Sequence, residues 1–248
     1  MSSGSESSPP PVKAHWFATT HWSVVLSAAD TAAPGADEAL EKLCRTYWYP
    51  LYAYVRRKGY SSHDAEDLTQ GFFAQLLERQ SIRQVRGEGK FRSFLLGALE
   101  HFLANEWNRA RREKRGGQCT FISLDEAAPE SRYQLEPVEE LTAEKIYDRR
   151  WAMMVLEQAL KNLRQECAAA GKQRLFEELK PILSGDKTDA PYAEISARLS
   201  MSEGALKVAA HRLRERYGEL VRQEIAQTVT NQSEMEEELR HLFAALRS

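Results

Sequence analysis

The chain has 248 residues, 42% hydrophobic and 28% charged, which at roughly 150 residues per domain means one large or two small domains and excludes a collagen-like or wholly disordered chain. With 34 Lys and Arg against 36 Asp and Glu, the formal net charge is -2, a sum that argues against a strongly basic nucleic-acid binder. Cys44, Cys119 and Cys167 are widely spaced with no Cys-x-x-Cys pair, so neither a disulfide framework nor a zinc ribbon is available and a reducing cytoplasm is the expected compartment.

No apolar run approaches the roughly eighteen residues of a membrane span, and residues 1–12 are rich in Ser and Pro without a signal-type apolar segment. Neither export nor membrane insertion is expected.

In chain order, residues 1–15 are expected to be disordered. Trp22, Val25, Leu26 and Ala29 recur at helical spacing behind Thr20. Leu40, Leu43, Cys44, Tyr47, Leu51 and Val55 predict a longer helix that Pro50 should kink or break and Lys58-Gly59 should end. Ser61 and Ser62 are candidate N-caps for a helix with Ala65, Leu68, Phe72, Leu76 and Leu77 on its apolar face. The next helix begins near Lys90, buries Phe91, Phe94, Leu95, Ala98, Leu99, Phe102 and Leu103, and carries a basic end from Arg109 to Arg115 before Gly116-Gly117.

Residues 116–141 contain Gly, Pro and acids without a period and read as an interdomain linker, with residues 119–124 a weak strand candidate. Helical period returns from Trp151 to Cys167, from Gln173 to Leu183 with an interruption near Pro181, and from Tyr192 to Leu199. After a turn at Ser200-Met201-Ser202 it resumes from Glu203 to about Val229. Beyond Asn231, the stripe Met235, Leu239, Leu242, Phe243 and Leu246 either docks back onto the second domain or binds a regulatory partner. The fold class is all-α: two helical domains joined by a flexible acidic linker, the second ending in a helix-turn-helix.

Counted in blocks, the charge is not neutral. Residues 79–115 hold ten basic side chains against four acidic ones, and residues 116–148 hold eight acidic against two basic. The two blocks, +6 and -6, nearly cancel.

Ala193, Ile195 and Leu199 on a short helix, a three-residue turn, and Leu206, Ala209, Ala210 and Leu213 on the next helix have the spacing of a helix-turn-helix. With Leu206, Ala210 and Leu213 turned inward, Lys207, Val208, His211, Arg212 and Glu215 face outward with Arg214 and Arg216 beside them, suited to base edges and phosphates. The plainer alternative is a helical hairpin with a solvated basic face. In the block from Phe91 to Arg115, basic groups interleave with aromatics, a combination suited to single-stranded DNA. At helical spacing most of those aromatics are core, which leaves Trp107 and the residues near Lys90 as base contacts.

His63-Asp64-Ala65-Glu66-Asp67 is dense in metal-ligating types, but no second cluster completes a shell, and acids in a first turn serve the helix dipole. His101, His211 and His241 lie on separate helices without a nucleophile partner, and there is no phosphate-binding Gly-x-x-x-x-Gly-Lys-Ser/Thr loop. No catalytic activity, cofactor or metal is expected.

Asp64-Ala65-Glu66-Asp67-Leu68-Thr69-Gln70, then Phe91-Arg92-Ser93-Phe94-Leu95 leading to a basic helix end, then an acidic linker and a terminal helix-turn-helix, resemble bacterial RNA polymerase sigma factors of the extracytoplasmic-function (ECF) group of the sigma-70 family. The resemblance covers roughly residues 35–229 and includes the phrases at 47–55 (Tyr-Trp-Tyr-Pro-Leu-Tyr-Ala-Tyr-Val) and 192–199 (Tyr-Ala-Glu-Ile-Ser-Ala-Arg-Leu).

The resemblance implies a sigma region 2-like domain over 16–115, a linker over 116–141, a sigma region 4-like domain over 142–229 and a helical tail over 230–248. Asp64, Glu66, Asp67 and Gln70 then dock on the clamp of the largest subunit of core RNA polymerase, with charge setting register and on-rate. Here Gly71 follows the Gln, where the family usually has an acid. The loop 80–90 captures a flipped base of the −10 element, and Lys90, Arg92, Asn105, Asn108, Arg109 and Arg112 lie along the strand. Ser202, Glu203, Lys207, Val208, His211 and Arg212 read the −35 element, the second domain meeting the flap of the second-largest subunit. The linker passes near the RNA path, its acidic charge resembling nucleic acid. An inhibitory anti-sigma protein is common in the family, and nothing in this chain identifies one.

Two readings from other classes stand beside this one: a stand-alone helix-turn-helix regulator with a helical sensor domain, and a helical adaptor that binds no DNA. An acidic docking helix together with a basic, aromatic strand-reading helix is what neither of them needs.

Overall fold

The computed structural model describes residues 36–77, 90–112, 130, 133, 141–183 and 192–247. The expected helix around Trp22, the loop 80–89, Gly116-Gly117 and the strand candidate at 119–124 lie outside the described residues. Those described form eight α-helices: α1 (Ala36–Arg57), α2 (Ser62–Leu77), α3 (Phe91–Arg112), α4 (Ala143–Ala169), α5 (Gln173–Leu183), α6 (Tyr192–Leu199), α7 (Glu203–Ala226) and α8 (Gln232–Arg247). There is no strand among the described residues, and the fold is all-α. No helix among them is long and apolar enough to cross a membrane.

The helices group into two compact units. One comprises residues 1–45, 66–126 and 226–236, and the other 46–65, 127–225 and 237–248. The division does not follow the chain in simple halves: the second half of α1 groups with the helices after residue 127.

α1 runs through Pro50 without interruption, where a break or kink was expected. A proline removes a single backbone donor from the ladder, and here it sits in a run that burial holds together. Tyr47, Trp48, Tyr49, Leu51, Tyr52, Ala53, Tyr54 and Val55 are all buried, and a helix apolar on every face must be covered on every face. The side chains of Leu40, Leu43 and Cys44 lie outside the described residues.

Part of that cover comes from α4. Its buried stripe, Tyr147, Trp151, Val155, Ala159, Leu163 and Cys167, repeats every fourth residue. The Trp151 indole N–H donates to the Tyr47 hydroxyl at 3.0 Å, and the rings of Tyr54 and Tyr147 meet edge-on at 6.4 Å. α4 starts at Ala143, two turns before the periodicity suggested, because Thr142 caps it by accepting from the Lys145 amide at 3.3 Å.

Polar contacts frame the aromatic ones. Arg56 makes a two-pronged ion pair with Glu130, at 2.9 and 2.8 Å, and Tyr52 donates to the same carboxylate at 2.6 Å. The Arg56 guanidinium also lies over the Tyr133 ring, 4.8 Å from its centre. Burial first, and then the Glu130 carboxylate, raise the Tyr52 hydroxyl pKa well above its usual value. Lys58 pairs with Glu144 at 2.9 Å, and Arg57 donates to the Leu141 carbonyl at 2.7 Å.

α5 includes its proline, Pro181, without an interruption and is described to Leu183, two residues beyond it. It buries Phe176 and Leu179 and packs against α4 and α6. In α8 the buried face is Glu238, Leu242 and Ala245, whereas Phe243 and Leu246 of the expected stripe are exposed. His241 lies 5.9 Å from the Trp151 ring and pairs with Asp148 at 3.0 Å.

Trp151→Ala should therefore cost about 3–5 kcal/mol, as expected for a large buried aromatic, read as a lowered midpoint in urea unfolding. The Lys58 ammonium holds the Glu144 carboxyl down at about 2, against an ordinary value near 4.5. Glu144 thus stabilises the fold above pH ~4.5, and the contribution is lost as pH falls toward 2. Both side chains are more than a third exposed, which limits the effect to about 1 kcal/mol or less. Comparison of thermal melts at pH 6 and pH 2.5 should show a smaller acid loss in Glu144→Gln than in the parent.

Candidate nucleic-acid interface

α6, the turn at 200–202 and the first half of α7 form one small structure over an apolar core. Leu179, Ile195, Leu206 and Ala210 are buried together, with Leu175, Ile182, Tyr192, Leu199, Ala209 and Leu213 packed around them. The inward set expected from spacing is found, with two differences. Ala193 is exposed, and Ser196 is buried in its stead. α5 supplies a third wall through Leu175, Leu179 and Ile182, a contribution that the pairwise spacing of α6 and α7 does not signal.

The turn is held by a paired helix stop and start. At the end of α6 the Ser200 amide donates to the Ala197 carbonyl at 3.2 Å and the Met201 amide to the Ser196 carbonyl at 3.0 Å. This is a Schellman arrangement, which requires a left-handed residue. Ser200 supplies it, with φ at 53°. The Ser196 hydroxyl donates to the Met201 carbonyl and so closes the turn from inside. Ser202 then caps α7, its hydroxyl accepting from the Ala205 amide at 3.2 Å.

The far end of α7 is anchored on α4. Arg216 forms a two-pronged ion pair with Glu166 at 2.9 and 2.7 Å, and the Arg216 hydrogen bond holds the Glu166 carboxyl below its usual range. Tyr217 donates to the Leu156 carbonyl at 3.1 Å, and Asn162 donates to Glu224 at 2.7 Å. Arg216, expected beside the outward face, is thus engaged with α4.

With its C-terminal half committed, α7 presents its first turns outward. Ser202, Glu203, Lys207, His211 and Arg212 are exposed, and Val208 is 50% exposed. The Lys207 ammonium lies 5.9 Å above the Tyr192 ring, and His211 is 3.5 Å from Glu215. Two cations and an imidazole thus surround one apolar side chain.

On α2, Asp64 is exposed while Glu66, Asp67 and Gln70 are half-buried. Asp64 helps to start its own helix. Ser61 Oγ accepts from the Asp64 amide at 3.1 Å and donates to its carboxylate at 2.7 Å, a reciprocal cap. The Gln70 amide nitrogen is 3.5 Å from Glu66, and the Gln70 Oε1 is buried with no hydrogen-bond partner among the described residues. A Cβ at Gly71 would lie 3.4 Å from the Phe102 ring, an ordinary contact, so space does not dictate the glycine.

On α3, Phe91, Leu95, Leu99 and Leu103 face the core, while Asn105, Asn108, Arg109 and Trp107 are exposed, Trp107 by 51%. Lys90 is half-buried. Arg92 is only 9% exposed, so its guanidinium is turned inward relative to the other candidates. The Arg112 side chain lies outside the described residues. No group of three or more His, Cys, Asp or Glu able to hold a metal ion occurs among the described residues.

Two substitutions in the turn should move stability in opposite directions. Ser200→Gly relieves the left-handed penalty and should stabilise by about 1 kcal/mol, whereas Ser202→Ala removes the α7 cap and should destabilise by about 1 kcal/mol. Thermal melts of the two variants check both signs.

Comparison with known proteins returns no matching curated protein and no matching solved structure. The family model described as "ECF sigma factor" matches residues 26–223, most of the chain and all of α1 to α6. This chain belongs to the ECF sigma factor family, whose members act in transcription initiation and are not enzymes.

Proposed function

We propose that this chain binds core RNA polymerase and confers promoter recognition and strand opening through two modules, residues 16–115 and 142–229, joined by the linker 116–141 and followed by the tail 230–248. The observation that carries the reading is α7: anchored on α4 at one end, capped by Ser202 at the other, and exposing Lys207, Val208, His211 and Arg212 between. A helix-turn-helix presents its second helix to the major groove in this manner, with short residues near its start at base edges and cations at phosphates.

In the first module, α2 offers Glu66, Asp67 and Gln70 to the clamp of the largest polymerase subunit, with Asp64 shaping the start of the helix. α3 carries Lys90, Asn105, Asn108, Arg109 and Arg112 along the −10 strand. Trp107 adds an exposed ring for stacking, and Arg92 supports the helix from inside. The second module lies at the flap of the second-largest subunit. The cytoplasm is the compartment in which these partners meet, and the nucleotidyl transfer with its metal ions belongs to the core enzyme.

The test is run-off transcription with core polymerase of the source organism on a promoter-containing duplex. Initiation that requires this chain supports the proposal. Duplex binding without support of initiation identifies a stand-alone regulator instead. Asp67→Lys should weaken core binding at least tenfold while leaving duplex binding by residues 142–229, within the full chain, unchanged; Asp64 is a poorer probe because it also caps α2. Duplex affinity should fall with salt at a log–log slope of about -0.9 per phosphate contacted, and Arg212→Ala should reduce that slope by about one contact.

A further inference from the structure

Val208 is an anomaly on the outward face of α7. A β-branched aliphatic side chain half-exposed among Lys207, His211 and Arg212 contributes little to the core, which Leu206 and Ala210 already fill from the opposite face. The turn before it is low in relief. Ala205 is exposed, and a Cβ added at Gly204 would meet nothing within 4 Å, so packing within the chain does not require the glycine. Together, Gly204, Ala205 and Val208 let a partner surface approach the backbone of α7 closely at one apolar point flanked by cations.

In the major groove one base offers a projecting apolar partner for such a point: thymine, whose C5-methyl group stands into the groove where cytosine has only a C–H and the other groups read there are donors or acceptors. Valine can neither donate nor accept, so facing any polar edge it would desolvate that edge without return. Resting on the reading of α7 as the −35 reader, we infer that Val208 is a specificity-determining residue that selects a thymine in the upstream promoter element by packing on its methyl group, with Lys207 and Arg212 held to the flanking phosphates.

The experiment begins by selecting upstream elements from randomised duplexes with the reconstituted holoenzyme, and then replaces each selected thymine singly by deoxyuridine, which removes only the methyl group. At one position the replacement should weaken binding about fourfold, the worth of one buried methylene-sized group. In Val208→Ala holoenzyme the same replacement should change binding by less than half as much. Val208→Ala lies on the surface and should melt within a few degrees of the parent, so a lost preference is not an unfolding artefact.

If the selected element contains no thymine, if no replacement weakens binding, or if the loss is undiminished in Val208→Ala, the inference fails while the sigma reading stands. Absence of any selected upstream element, with −10 recognition and initiation retained, overturns both the assignment of α7 and the inference.

Discussion

Residues 47–55 impose the condition that the rest of the structure must meet. Tyr47, Trp48, Tyr49, Leu51, Tyr52, Ala53, Tyr54 and Val55 leave no polar face on nearly three turns of α1, and all are buried. A helix of this kind cannot lie on a surface. Its cover has to come from elsewhere in the chain, and it comes from Tyr147 and Trp151 of α4 and from residue 133. The aromatic groups keep their polar ends satisfied, as buried Tyr and Trp must: Trp151 donates to Tyr47, and Tyr52 to Glu130. Charge is then recruited at the margin, where Arg56, Arg57 and Lys58 each find an oxygen at residue 130, 141 or 144. The basic end of α1 and the acidic stretch after residue 127 are thus complementary, and part of the negative block counted from the sequence is already balanced within the fold.

α4 has two duties, and they fall on different parts of its length. Its first turns cover α1. Its later turns hold α7 through Leu156, Asn162 and Glu166. Fixing α7 by its C-terminal half has a consequence for recognition. Base reading needs side chains held in place before contact, since each rotamer ordered on binding subtracts from affinity. On the proposed reading, with the backbone of α7 set by Arg216, Tyr217 and the Ser202 cap, Lys207 and Arg212 have only their own side-chain freedom to lose. Arg164–Glu177 and Arg198–Glu178 join α5 to its neighbours in the same manner. These pairs are exposed and individually weak, so their contribution lies in orientation more than in stability.

The sequence made the fold class legible because helical period dominates it, and it located α5, α6 and the turn to the residue. It was less informative wherever a nonlocal contact overrode a local rule. Pro50 has the signature of a helix break, yet α1 continues through it in a run whose neighbours are buried. The start of α4 lies two turns before Trp151, and the buried Ala143, Ile146 and Tyr147 carry the helical period back to the Thr142 cap. In α8 the apolar stripe pointed to Phe243 and Leu246, whereas Glu238, Leu242 and Ala245 form the buried face. Among candidate site residues, exposure follows spacing for Lys207, Val208, His211 and Arg212, and Asn105 and Asn108, implied by the resemblance, are exposed as well. It departs for Arg92, which is only 9% exposed.

The near-zero net charge illustrates the same limit. A sum of -2 conveys nothing about a surface, and even block counts treat every charged residue as available to a partner. In the fold some are not: Arg56 and Glu130, Arg216 and Glu166, and Lys58 and Glu144 cancel each other at 2.7–2.9 Å. What remains on the first turns of α7 is a small excess of positive charge around a valine, and this is a different kind of recognition surface from a basic patch. Charge alone binds any duplex, since phosphates repeat at every step. Discrimination needs a group that is penalised by the wrong base, and an apolar side chain among cations is penalised by every polar edge it meets. On the proposed reading of α7, the cations supply attraction to any duplex and Val208 the reason to prefer one.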